Sequence, residues 1–343
     1  MRGLALAALA SVLVLASACV TDPPQLTPES GASTDPTPSA TRRPTVTRPP
    51  LQRDIAERPQ LWFAPLDPSP PDASRPFSGR LDFMSLFEPE APWEDAAAGI
   101  HIFKLYGGWV GGTATPEELK RVVADLNRRG IAIGFEASPL TQTEECGAGV
   151  EGFSGVTEGL RIVQKLKAAG AEVRFVAFDH PYDAGVLDDG PTACHWSPEK
   201  TAANVADYVA AIRGVYPDIV VGDIETAALD VDEVERWVDA YRQAVGEDLA
   251  FFHLDHDFRR PGWQEATLAI ESFLGDRGVD FGMIYIGNQE DESDAQWLAH
   301  AEERMVAYEV GAGGGPTTSS SSPGIRIPSV CCPKLMPPPS RTW

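Results

Sequence analysis

Between residues 59 and 315 short apolar runs alternate with longer stretches of helical period. The run that sets the pattern is 218–225, Asp-Ile-Val-Val-Gly-Asp-Ile-Glu. Four of the six residues 219–224 are apolar and all four are β-branched, which favours a strand over a helix. A helical pattern over 200–215 precedes it and another over 230–245 follows. Six further short apolar runs are strand candidates, at 61–66, 100–106, 131–136, 173–179, 249–255 and 281–286.

The helices carry their own start and stop signals. Thr115-Pro116-Glu117-Glu118 and Ser197-Pro198-Glu199 each place a capping hydroxyl, a proline in the first helical position and an early acid. Gly130 and Gly170 close helices just before the third and fourth strands. Strands alternating with helices imply a parallel sheet, and this many in one domain imply an α/β fold of the (β/α)8 TIM-barrel type. The alternative, a doubly wound sheet, lacks its glycine-rich turn after the first strand.

An eighth strand is not visible. After a helix over 293–308 the chain runs into Gly313-Gly314-Gly315 and a Pro/Ser-rich tail over 316–343. The bland expectation is a disordered tail. The sharper one is that this end is read out of frame. Joining the third base of each codon to the first two of the next permits Asp-His-Val-Val-Phe-Gln-Ser-Trp-His-Pro, a strand where the fold demands one.

The N-terminal segment is of another kind. Residues 1–18 form a charged start and an apolar run, as in an export signal. They end at Cys19 in a sequence like a bacterial lipobox, which makes Cys19 the expected lipidation site. Residues 19–58 are rich in Pro, Thr and Ser and cannot bury enough apolar surface to fold, so they read as a linker. The expectation is an exported lipoprotein of the cell envelope, monomeric, touching the membrane only through its anchor. A formal charge of −22 disfavours nucleic acid and anionic membrane surfaces as partners.

Acidic residues gather at predicted strand ends: Glu136, Asp179, Asp223 and Glu225, Asp255 and Asp257. A barrel brings such ends to one face. With the aromatics Trp62, Tyr106, Trp109, Tyr182, Trp196 and Tyr285 they suit a sugar site, because carboxylate pairs supply acid, base or nucleophile and flat rings stack on pyranoses. The competing explanation is that these acids cap helices or pair with Lys104 and Arg259. His253, Asp255 and Asp257 alternate so as to share one strand face and, with His180, offer a second, metal-binding arrangement. Cys146 and Cys194 fall in loops after neighbouring strands and are expected to form a disulfide in an oxidising compartment.

The run Ala91-Pro92-Trp93-Glu94 through Phe103-Lys104-Leu105-Tyr106, with Phe178-Asp179-His180-Pro181, Cys194-His195-Trp196-Ser197 and Gly222-Asp223-Ile224-Glu225, resembles bacterial TIM-barrel proteins of the glycoside hydrolase superfamily over most of residues 60–312. The resemblance implies a barrel with one catalytic carboxylate on the fourth strand and another on a later one. Asp179 matches the first, and Glu225 or Asp255 the second. Relatives often carry Asp-Glu-Pro on the fourth strand; His180 stands in the Glu position here, leaving Asp179 as the acid.

The expected function is therefore a glycosidase acting on a glycan without cofactor or metal, with Glu225 first as general acid/base and Asp179 or Asp255 as partner. Glu136, Asp223, Asp257, Lys104, Tyr106, Trp109, His180, Tyr182, Trp196, Tyr285 and Asn288 are expected to bind the substrate. The rival readings are a glycan-binding lipoprotein without catalysis and a metal-dependent hydrolase.

Overall fold

The computed structural model describes residues 60–68, 83–226, 229–288, 290–291, 293–315 and 330–331. The expected signal segment, Cys19, the linker and nearly all of the C-terminal tail with its offset-frame reading lie outside them. Among the described residues no helix is long and apolar enough to cross a membrane.

Eight parallel strands form a closed barrel in sequence order. They are β1 (Trp62–Phe63), β2 (Ile102–Tyr106), β3 (Ala132–Ala137), β4 (Val173–Asp179), β5 (Val220–Thr226), β6 (Phe251–Asp255), β7 (Asp280–Tyr285) and β8 (Val330–Cys331). The surrounding helices are α1 (Glu94–Gly99), α2 (Gly107–Gly111), α3 (Pro116–Arg129), α4 (Gly155–Ala168), α5 (Pro198–Arg213), α6 (Val231–Val245), α7 (Trp263–Asp276) and α8 (Asp294–Met305).

Local chemistry explains the boundaries. At α3 the Glu118 N–H donates to Thr115 Oγ1 (3.2 Å) while Glu118 returns a carboxylate to the Thr115 N–H (2.8 Å), a reciprocal cap. Gly130 ends that helix at φ 68°. The first strand is two residues instead of the expected six, because Pro65 has no N–H for a ladder. The expected final helix gives way after Met305 to wide turns over Val306–Ala312.

The eighth position holds a strand after all, of two residues among those described. Val330 and Cys331 pair with Trp62 and Phe63 on one side and with Ile284 and Tyr285 on the other. A barrel open between β7 and β1 leaves two rows of N–H and C=O groups without partners, and even a short extended segment relieves that.

Ring contacts and register establish which side chains face inward. Trp62 meets Phe175, Phe251 and His253 across the interior, with ring centroids 5.3, 5.2 and 5.0 Å apart. Two glycines make the room: a Cβ on Gly134 would lie 3.4 Å from Trp62, and one on Gly222 only 2.3 Å from the Phe251 ring. Alternation along each strand then turns Lys104, Tyr106, Glu136, Asp179, Thr226 and Asp255 inward too, at the C-terminal end. The opposite faces pack under the helices, as where Phe178 meets Tyr208 of α5.

Cys146 and Cys194 are joined by a disulfide, and the Gly147 N–H donates to Thr192 O (2.8 Å) alongside it. The bond ties the loop after β3 to the loop after β4.

Gly222→Ala is expected to cost about 1–3 kcal/mol through overpacking against Phe251, read as a lower urea midpoint. An unchanged midpoint would mean that the interior is looser than these contacts describe.

Candidate active site

The mouth of the barrel is the C-terminal end of the strands. Lys104 rises from β2 and is only 2 % exposed, so its ammonium needs a partner. Glu136 on the neighbouring strand supplies it, in an ion pair with the Lys104 Nζ. The ammonium also stands 5.0 Å from the centre of the Tyr106 ring. Asp179 ends β4 one strand further on, and Asp255 ends β6 with Thr226 of β5 as its register partner. Burial first, then the charges of Glu136 and Glu151, push the Asp179 carboxyl well above the usual range; Asp255 acts in the same direction and Lys104 opposes.

His180 follows Asp179 at φ 48°, a left-handed conformation that costs a residue with a side chain roughly 1–2 kcal/mol. Its Nδ1 lies 3.9 Å from Asp179 Oδ1, and its Nε2 is buried with no hydrogen-bond partner among the described atoms. Below them His253 is fully buried beside Trp62 and Phe251, with neither ring nitrogen hydrogen-bonded among the described atoms. Burial, helped by the charge of Lys104, pushes the His253 imidazole down to about 3 and keeps it neutral.

Two cavities open over these strand ends. One, of about 390 Å³, is lined by Tyr106, Glu136, Asp179, Ser154, Glu158 and others. The second, of about 550 Å³, is lined by Asp183, Thr226, Asp255, Asp257, Asn288 and others. Both volumes are those of pockets that enclose small ligands.

Several expected site residues are elsewhere. Asp223 and Glu225 occupy the outward parity of β5, and neither is exposed at all. Asp223 accepts from the Trp237 indole of α6 and from the Ile224 N–H (3.1 Å). Glu225 accepts from the backbone N–H groups of Tyr182 (2.6 Å) and Asp183 (3.2 Å). Burial raises both carboxyls well above the ordinary range; for Glu225 the charge of Asp223 adds to it. These acids brace the layer between the strands and α6 and do not reach the mouth.

Four aromatics are structural for similar reasons. Trp109 falls in α2 and packs on Phe83 (5.0 Å between centroids). Tyr182 turns outward to Trp237 and donates its hydroxyl to Glu233. Trp196 packs on Phe153 under Lys200. Tyr285 has the outward parity of β7 and donates to Glu309 (3.1 Å). Asp257 is at the rim of the second cavity, ion-paired with Arg259, which lowers its carboxyl. Asn288 is beside it, with its backbone N–H given to Asp291 (2.7 Å) and its side-chain Oδ1 accepting from Arg304. His253, Asp255 and Asp257 do not gather into a metal-holding group among the described residues.

The structure also brings in residues the sequence pattern passed over: Thr226, Asp183 and, from α4, Glu158 with its ion-paired Arg161. Thr226 had a signal, since it shares parity with the glycine that clears the barrel interior. Glu158 had none, because its helix had first to be placed against α2.

No protein-family model matches the chain, and no curated protein matches it. Solved structures do match. A glycoside hydrolase family 53 catalytic domain from Ignisphaera aggregans covers 84% of this chain and 88% of its own at 12% identity and a TM-score of 0.46. A family 5 glycoside hydrolase from Streptomyces cattleya, solved with GlcNAc, covers 80% and 70% at 11% identity and 0.48. An HpcH/HpaI aldolase from Desulfitobacterium hafniense covers 81% and 87% at 11% and 0.37. Proteins of such different chemistry at such low identity leave the reaction to be argued from the site.

Asp179, Asp223 and Glu225 all hold protons more tightly folded than unfolded. Their contribution to stability is therefore largest at acid pH and is lost as pH rises through the folded values, above the ordinary carboxylate range. Thermal unfolding followed from roughly pH 8 down to about pH 6.5, above the range in which unfolding would protonate the buried His253 and His256, should show stability rising. Asp179→Asn should flatten that rise and raise the midpoint at neutral pH; an unaltered slope would mean that the Asp179 carboxyl is not perturbed.

Proposed function

We propose that the protein is an exported glycosidase-like barrel that cleaves a glycan by carboxylate acid/base chemistry at the mouth formed by β2 to β6. The carrying observation is that Asp179 and Glu136 line one cavity from neighbouring strands, with Asp255 in the wall of the next, and that the Asp179 carboxyl is driven upward by burial and by neighbouring acids. Such a group holds its proton where an ordinary aspartate has lost it, which a general acid for a leaving glycosidic oxygen needs. Glu136, ion-paired with Lys104, supports the complementary role of nucleophile or base, and Asp255 is its alternative. Tyr106, beside Glu136 in the register and lining the first cavity, offers a ring face to a sugar.

This assignment moves the acid from Glu225 to Asp179, since Glu225 is sealed behind the sheet. Lys104, Tyr106, His180 and, at the rim, Asp257 and Asn288 remain candidate binding residues. Export by a signal over 1–18, with Cys19 as lipid anchor and 19–58 as tether, belongs to the same proposal and is supported by the composition of that segment.

Asp179→Asn and Glu136→Gln should each lower kcat by about 100-fold or more on a panel of plant, fungal and bacterial cell-wall glycans, with binding retained in calorimetry. Full activity in both variants would end the assignment. Binding without turnover in the unaltered protein would favour a glycan-binding protein instead. Separately, Cys19→Ser expressed in a bacterial host should move the protein from the detergent-soluble membrane fraction to the soluble exported fraction. Continued membrane retention would overturn the anchor.

A further inference from the structure

The segment leaving β4 divides the mouth. It is fastened to β5 by four hydrogen bonds: the His180 N–H to Ile224 O (2.9 Å), the Tyr182 and Asp183 N–H groups to Glu225 (2.6 and 3.2 Å), and the Thr226 hydroxyl to Asp183 Oδ1 (3.3 Å). Three of the four involve a side chain on β5, and the Glu225 carboxylate that makes two of them is fully buried. The partition is therefore a built feature, held in place from behind.

One cavity lies on each side of it. The first stands over the ends of β2, β3 and β4 and has Asp179 in its wall. The second stands over the ends of β5 and β6 and the turn after β7, and has Asp183 in its wall. Asp179 in the first wall and Asp183 in the second are the two ends of that segment, and Asp179 senses the charges of Glu136, which lines the first cavity, and of Asp255, which lines the second. The linings differ: Glu158 with Arg161 borders the first, Asp257 with Arg259 the second. A pocket for a terminal sugar needs one chamber with a closed back. Two chambers flanking one short segment, each large enough for a small ligand, suit a chain that continues in both directions.

We infer, given the glycan reading above, that the ligand is a linear glycan bound across both cavities, with the segment 179–183 beneath the crossing and the linkage over Asp179 an internal one. Sugar units on the two sides meet different walls, so the chain binds in one direction. The substrate class is then a polysaccharide or long oligosaccharide, not a glycoside with a single terminal sugar.

Two exposed wall residues outside the acid cluster allow a test, Ser154 for the first cavity and Glu290 for the second. Binding of reducing-end-labelled hexasaccharides of cellulose, mannan, xylan, galactan and chitin to the full chain would be measured by calorimetry, and products sized by chromatography. Ser154→Trp and Glu290→Trp should each weaken binding of the accepted hexasaccharide several-fold while leaving the thermal midpoint unchanged. Where the chain is cut, products should come from its interior, and the two variants should move the cut in opposite directions. Loss of binding in both variants without any turnover would uphold the two-sided site while ending the glycosidase reading. Stepwise release of single sugars from one end, sensitivity to only one of the two substitutions, or no binding of any hexasaccharide would overturn the inference.

Discussion

The mouth depends on the buried ion pair between Lys104 and Glu136. Three carboxylates, Glu136, Asp179 and Asp255, converge on the end of a barrel whose interior is filled by Trp62, Phe175 and Phe251. Charges so placed repel one another and lose hydration, and each cost grows as the surroundings become less polar. Lys104, itself almost wholly buried, offsets part of that repulsion at Glu136, and Asp179 answers the remainder by keeping its proton. Lys104 separates these acids chemically: Glu136 is ion-paired with it, while burial and neighbouring charge drive the Asp179 carboxyl upward. A general acid working beside a base requires that difference.

A second pair of acids, one layer out, does different work with the same residue types. Asp223 and Glu225 are closed off from solvent and spend their lone pairs on the Trp237 indole and on backbone N–H groups after β4. The turn that Glu225 holds includes His180 in a left-handed conformation. That conformation is unfavourable in isolation, and it persists because the N–H groups on its far side are held by a carboxylate that has no other outlet. Removing Glu225 would strand the buried Tyr182 N–H and the half-buried Asp183 N–H as well as free the strained turn. The effect on His180 beside Asp179 would follow from geometry, without Glu225 touching a substrate.

Much of the fold was legible in the sequence. Short apolar runs between capped helices placed β2 to β7 to within a residue or two, since caps at Thr115, Ser197 and Gly130 mark real changes of backbone direction. The site was less so. Parallel strands are apolar on both faces, so the run Val220-Val221-Gly222-Asp223-Ile224-Glu225 shows its period but not which parity is inward. Only the Gly222–Phe251 approach and the Trp237 indole reveal that the two acids look away from the mouth. Trp109 misled for another reason: the chain enters α2 directly after β2, and the ring turns toward Phe83 instead of the opening.

Closure and chemistry are linked through the shortest strands. β1 and β8 have two residues each, yet β1 carries Trp62, whose ring touches residues from β4 and β6. Cross-barrel packing therefore begins at the weakest part of the hydrogen-bonded ring. His253, against that ring and below the acids, is kept neutral by the same burial. A charged imidazole there would add a second cation beneath Lys104 and draw the Asp179 proton away. The aromatic floor thus does more than fill space: by keeping His253 uncharged it adds no further positive charge beneath the Lys104–Glu136 ion pair and the acid beside it.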